Sequence, residues 1–320
     1  LIDQEEKKQL VGIWFAVAAY LSWGILPLYW KLLSRVPAQQ ILAHRIIWSW
    51  AILSILLHYR KRWPEFRRIF AVRINRITFL GTSIILAVNW FIYIWAVNSG
   101  HVVDTSLGYF INPLVSVLLG VVMLKERLNF WQLVSVILAA VGVAYMTLHY
   151  GKFPWISLSL ALTFGFYGLI RKTARVESLA GLAGEMTFLS PAALIFLGLL
   201  FAQGQNAAGS APVHIHFLLI GAGFVTAMPL LWFNIGVRRI PLSTIGFLQY
   251  ISPSMQLLLG VFVFHEAFTI DHAVTFGLIW TALALYTLSR FSILARYQPR
   301  FYRNRKTQNA KRKKPVNGEW

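Results

Sequence analysis

The chain has 320 residues, 57% of them hydrophobic and only 13% charged, with a formal net charge of +19. Soluble domains carry about 25% charged residues; so few polar groups cannot cover a water-facing surface, which excludes a pair of soluble domains. The absence of cysteine excludes disulfides and thiolate metal sites.

The expected elements are therefore membrane helices. Residues 1–10 are mixed in charge, and the apolar run that follows is longer than a signal-peptide core, so it reads as a first span. Apolar stretches able to span fall near 12–32, 38–58, 77–97, 104–124 and 129–148, then near 154–171, 181–202, 214–236, 243–264 and 270–290. A bilayer needs about 20 residues per helical crossing, and lipid gives no partner to open backbone groups. Alternating strands of about ten residues, as a barrel needs, do not fit these continuous runs. The expected fold is an all-α membrane protein of ten transmembrane helices.

The basic residues set its orientation. With ten spans, one side carries Lys7, Lys8, seven Lys/Arg between 60 and 76, Lys125, Arg127, Arg171, Lys172, Arg175, Arg238, Arg239 and ten Lys/Arg between 290 and 314. The other side holds only Lys31, Arg35 and Lys152. The positive-inside rule then places both termini in the cytoplasm. The tail 291–320, with Lys311-Arg312-Lys313-Lys314, reads as a basic cytoplasmic segment touching anionic lipid head groups. No aromatic stacking platform accompanies it, so no nucleic-acid partner is expected.

A shift of 140 residues superposes Ile111, Pro113, Leu118, Leu119, Gly120, Val121 and Glu126 on Ile251, Pro253, Leu258, Leu259, Gly260, Val261 and Glu266. At 141, Ser22-Trp23-Gly24 meets Thr163-Phe164-Gly165 and Lys31 meets Lys172. The expected domains are a first five-helix repeat, 1–150, and a second, 151–290. Five is odd, so the second half enters from the opposite side. Inverted-topology repeats recur in transporters, where two halves exchange inward-open and outward-open shapes around a midplane site.

Arg45 lies within the second span, where an Arg costs about 2.5–3.5 kcal/mol to insert and needs a partner or a wet cavity. Glu185 takes the same place in the second half and is the candidate partner; a pair would act as gate, staple or site. Asn89 and Tyr93 share one helix face, with Trp90 and Trp95 nearby; a cavity of aromatic faces and amides suits an organic solute. Tyr109 and Asn112 correspond to Gln249 and Ser252 and complete the substrate-cavity candidates. Pro113 and Pro253 are helix-kink candidates, because proline frees a backbone carbonyl. Gly24, Gly120, Gly165, Gly168 and Gly260 read as close-packing points. Glu126 and Glu266 read as capping or topology residues, and Asp104 as a helix cap. No Walker loop, His-Glu-x-x-His, dinucleotide fingerprint or Gly-x-Ser-x-Gly occurs, so no catalytic residue, cofactor or metal is expected.

The segments His44-Arg45-Ile46-Ile47-Trp48-Ser49, Asn89 to Asn98, Leu107 to Leu114, Phe166 to Lys172 and Ser243 to Ser254 resemble those of the RarD-type proteins. These are EamA-type members of the drug/metabolite transporter superfamily. The resemblance runs from about residue 10 to 290 and implies ten helices, two EamA repeats, a bacterial plasma membrane and transport without ATP hydrolysis. Asn234 stands where a small residue is expected. The expected function is a secondary active transporter that exports a small organic metabolite or drug-like solute by alternating access. A passive channel or facilitator is the alternative, with a membrane scaffold third. The partners expected are the solute and the lipid bilayer, with a homodimer left open.

Overall fold

The computed structural model describes residues 4–99, 101–151, 153–207, 211–263, 265 and 269–289. The tail 291–320, Glu266 and the side chain of Asp104 lie outside the described residues, and with them the readings made for each. Among the described residues all regular structure is helical: α1 (Gln4–Leu32), α2 (Ala38–Tyr59), α3 (Trp63–Ala71), α4 (Arg73–Asn98), α5 (Val102–Met123), α6 (Phe130–Tyr150), α7 (Trp155–Thr173), α8 (Ser178–Ala202), α9 (Val213–Val237), α10 (Leu242–Gln249), α11 (Ile251–Phe262) and α12 (Ile270–Leu288). Among the described residues, seven stretches have the length and apolar composition to cross a membrane, in α1, α2, α4, α6, α8, α9 and the α10–α11 pair.

The chain divides into two compact units. The smaller, Lys125–Gly151 with Thr269–Trp320, pairs α6 with α12. Both helices open with a capping box, Asn129 with Gln132 and Thr269 with His272, so orphan N–H groups at each start are satisfied reciprocally. Gly142 lets them approach: a Cβ there would stand 3.2 Å from the Leu278 Cβ and 3.3 Å from the Thr275 carbonyl oxygen. Tyr145 donates a hydrogen bond to Asp271 Oδ1 at 3.0 Å.

The larger unit, Leu1–Leu124 with Lys152–Phe268, holds the other helices. In it α1 packs on α9, α10 and α11; α2 on α8 and α9; α4 on α7 and α8; and α5 on α7 and α10. Glycines set the closest approaches. A Cβ at Gly246 would lie 2.5 Å from the Pro113 carbonyl oxygen, one at Gly165 2.8 Å from Val115 Cγ1, and one at Gly24 2.7 Å from the Met255 Cβ. The ninth apolar stretch is broken at Tyr250, between α10 and α11. Pro253 has no N–H for the Gln249 carbonyl and its ring crowds that oxygen, which accounts for the break three residues earlier. α5, by contrast, continues as one helix through Pro113.

The connection 59–76 contains a helix that the span pattern omits. In α3 the rings of Trp63 and Phe66 lie 5.4 Å apart, and Phe70 continues the series to Phe79 and Phe188, at 6.0 and 5.5 Å. Arg67 and Arg68 are exposed. Nine residues with one apolar stripe form a surface helix, too short to register as a span.

Candidate functional site

A cavity of about 210 Å³ lies within the larger unit, lined from α1, α2, α4, α5, α7, α9, α10 and α11. It brings together Arg45, Asn89, Tyr93, Tyr109, Asn112 and Gln249, and adds Tyr20, Trp23, Trp30, Trp90 and Phe164. Pro253 also lines it, beside the α10–α11 break.

Arg45 is the single formally charged residue on the wall among the described residues. Its Nε donates to Thr226 Oγ1 at 2.9 Å. Thr226 in turn donates to the Ala222 carbonyl at 2.7 Å, so its lone pair is directed at the guanidinium. The Arg45 Cζ stands 4.8 Å from the Trp30 ring centre and 5.3 Å from that of Trp90, distances at which indole faces attract a cation. Among the described residues no carboxylate lines the cavity, and the terminal nitrogens of Arg45 have no hydrogen-bond or ion-pair partner.

The amides divide into two kinds. Asn89 uses its Nδ2 to hold α7, donating to the Leu160 carbonyl at 3.0 Å and to Thr163 Oγ1 at 2.8 Å. Asn112 Oδ1 and Gln249 Oε1 are buried acceptors with no hydrogen-bond partner among the described residues. The rings of Tyr93 and Tyr109 are 6.4 Å apart.

From the wall an aromatic cluster leads into the protein. Trp23 lies 5.5 Å from Tyr20, 5.8 Å from Phe164 and 5.8 Å from Phe233; Phe233 stacks on Tyr167 at 6.1 Å. Past Tyr167 is a second polar group, fully buried. Arg171 Nε donates to Asn234 Oδ1 at 3.2 Å and stands 3.6 Å from Glu185 Oε1. Tyr167 donates to Glu185 Oε2 at 3.0 Å, and Asn234 Nδ2 donates to the Tyr167 hydroxyl at 3.1 Å. Gly181 cradles the guanidinium, because a Cβ there would collide with both its terminal nitrogens.

This arrangement corrects the expected Arg45–Glu185 pair. Glu185 is absent from the cavity wall; its carboxylate is held by Arg171 and Tyr167, while Arg45 is held by Thr226. Arg171 falls at the apolar margin of its stretch, where a charge reads as a loop residue. Three-residue spacing from Tyr167 to Ile170 and four-residue spacing from Tyr167 to Arg171 place Arg171 on the buried face with Tyr167. That spacing is the signal that was there to read. Asn234 supplies the amide that Arg171 and Tyr167 both use.

Around this group, charged side chains tie loops to helix ends. Lys172 donates to the Val237 and Ile240 carbonyls at 3.2 and 2.6 Å, and Arg238 to the Ala174 carbonyl at 3.1 Å. Arg62 pairs with Glu177 and Glu65, which push its guanidinium above the ordinary range.

Comparison with known proteins agrees with this architecture. Residues 10–148 match the model of the EamA-like transporter family. The chain is 45% identical over 282 residues to the uncharacterized transporter YojE of Bacillus subtilis, covering 87% of this chain and 94% of that one. It is 40% identical over 287 residues to protein RarD of Escherichia coli, covering 90% and 96%. A solved crystal structure superposes with a TM-score of 0.68 at 18% identity, covering 88% of this chain and 98% of that one, a likeness of fold alone. A multi-pass helical membrane protein with RarD proteins as relatives over about 90% of its length, the chain belongs to the EamA-like transporter family.

Proposed function

We propose that the chain is a secondary active transporter that exports a small organic solute across the bacterial plasma membrane by alternating access. Ten helices in two inverted halves, 1–150 and 151–290, would carry it, with both termini cytoplasmic. The observation that carries the reading is the cavity around Arg45, enclosed by helices from both halves of the sequence. A midplane site between equivalent halves is the geometry alternating access requires.

The helix pairing supports the inverted halves. Exchange α1 with α7, α2 with α8, α4 with α9, α5 with α10–α11 and α6 with α12. The α1–α9 pair then becomes α7–α4, α2–α9 becomes α8–α4, and α5–α7 becomes the pairing of α10–α11 with α1. The α2–α8, α5–α10 and α6–α12 pairs map onto themselves. Local structure repeats at the same offset of 140. The capping boxes at Asn129 and Thr269 are one such pair. The left-handed residues Lys125 (φ +55°) and His265 (φ +56°) are another.

The test is flux in proteoliposomes. Solute uptake that saturates and follows an imposed gradient is expected. Flux that rises linearly with concentration would reassign the cavity to a passive channel.

A further inference from the structure

We infer that the cavity is a receptor for an organic monoanion: a carboxylate on a single-ring or similarly small apolar body that also bears an O–H or N–H donor. This rests on the transport reading above and names the class of solute.

Three observations carry it. The first is charge. A guanidinium stays protonated over the physiological range, and its planar fork matches a carboxylate bidentately. Arg45 spends only Nε on the protein, and its terminal nitrogens have no partner among the described residues. Among the described residues no carboxylate on the wall balances it. Thr226 and the indoles of Trp30 and Trp90 hold the plane of the fork, so little order remains to be lost when an anion docks.

The second is the pair of amides. Asn112 and Gln249 are 5% and 6% exposed, and their carbonyl oxygens have no hydrogen-bond partner among the described residues. Buried acceptors left open are costly unless a ligand or water fills them. A solute with a donor group fills them; a simple inorganic anion does not. The third is the wall and its size. Trp23 and Phe164, rings 5.8 Å apart, both face the space. At about 210 Å³ it falls below the roughly 300–1,000 Å³ usual for drug-sized ligands.

A ring-matched series tests the class: 4-hydroxybenzoate, 4-hydroxybenzamide and 4-hydroxybenzylamine, bound by the full chain in detergent and followed by tryptophan fluorescence. The anion should bind at least about tenfold tighter than the amide, the weight of one charge-assisted fork. Arg45→Gln should erase that preference, and Arg45→Lys should restore only part of it. Thermal melts of both variants establish that they fold. Equal or tighter binding of amide or amine, binding by none of the three, or an anion preference surviving in Arg45→Gln overturns the inference. Saturable flux of the amide or amine that ignores Arg45→Gln would overturn it while leaving the transporter reading in place. Flux of all three that never saturates would remove both.

Discussion

Arg45 and Arg171 are two arginines inside one helical unit, and they are treated in opposite ways. Arg45 has one side-chain hydrogen bond, two indole faces and no acid. Arg171 is fully buried, with Glu185, Asn234 and the Ser178 carbonyl around it. The offsets at which the sequence repeats make the contrast sharper. Trp30 and Arg171 are 141 apart, and Arg45 and Glu185 are 140 apart. At one pole the pair of positions is indole and guanidinium; at the other it is guanidinium and carboxylate. These positions thus place a cation on a cavity wall that carries no acid among the described residues in one case and an ion-paired, fully buried cation in the other.

The largest way to break the comparison is Arg171→Leu. It leaves Glu185 buried without its cation, and removing one partner of a buried pair costs about 3–5 kcal/mol. Thermal unfolding in detergent should show that loss. The double variant Arg171→Leu with Glu185→Leu should recover most of it, since a well-packed apolar pair is often neutral or better. A double variant no more stable than the single would show that Arg171 acts through Asn234 and Ser178 rather than through Glu185.

Gly181→Ala is next. Its Cβ would enter the space of the Arg171 terminal nitrogens, and overpacking of this kind costs about 1–3 kcal/mol. The guanidinium must move toward Glu185 or leave it. Combined with Arg171→Leu, the glycine change should lose most of its own effect, which a double-mutant cycle on melting reads directly. Additive effects would mean that Gly181 is needed for backbone packing instead.

Much of this contrast is absent from the sequence for a physical reason. Apolar periodicity and charge placement outline spans, since lipid forces helices on long apolar runs. The same placement assigns Arg171 to a loop, because charge near a span margin is ordinarily solvated. Arg45, deep in its run, advertises a need for a partner but not which one. A shift of 140 pairs it with Glu185 by position in the sequence, whereas the Glu185 carboxylate is held by Arg171 and Tyr167. Equivalence at that offset does not by itself decide contact: Tyr250 donates to the Phe110 carbonyl, 140 residues away, at 3.3 Å. The α10–α11 break follows from Pro253, yet Pro113 in the matching place leaves α5 continuous; proline states which hydrogen bond is missing, and packing decides how far the helix yields.

Thr226→Val sharpens the open pole. It deletes the acceptor of Arg45 Nε while keeping the shape of the side chain, so stability should fall by about 1.5 kcal/mol, the low end for a hydrogen bond to a charged group. The transport effect should be an increase in KM with kcat little changed, because the fork is left intact but less well oriented. An unchanged KM would show that Trp30 and Trp90 alone fix the guanidinium.

The smallest effect on stability, and the one that separates the two poles most cleanly, belongs to Arg45→Leu. Placing an Arg within a span costs about 2.5–3.5 kcal/mol, and Arg45 recovers little of it through one hydrogen bond and two ring contacts. Its removal should therefore leave the melting temperature unchanged or raise it slightly, by the equivalent of no more than about 1 kcal/mol. Solute binding should disappear at the same time. Arg171→Leu should do the reverse to stability by several-fold more. If Arg45→Leu were as destabilising as Arg171→Leu, Arg45 would be holding the helices together, and an unsatisfied cation kept at a cost to stability would no longer be the mark of the binding pole.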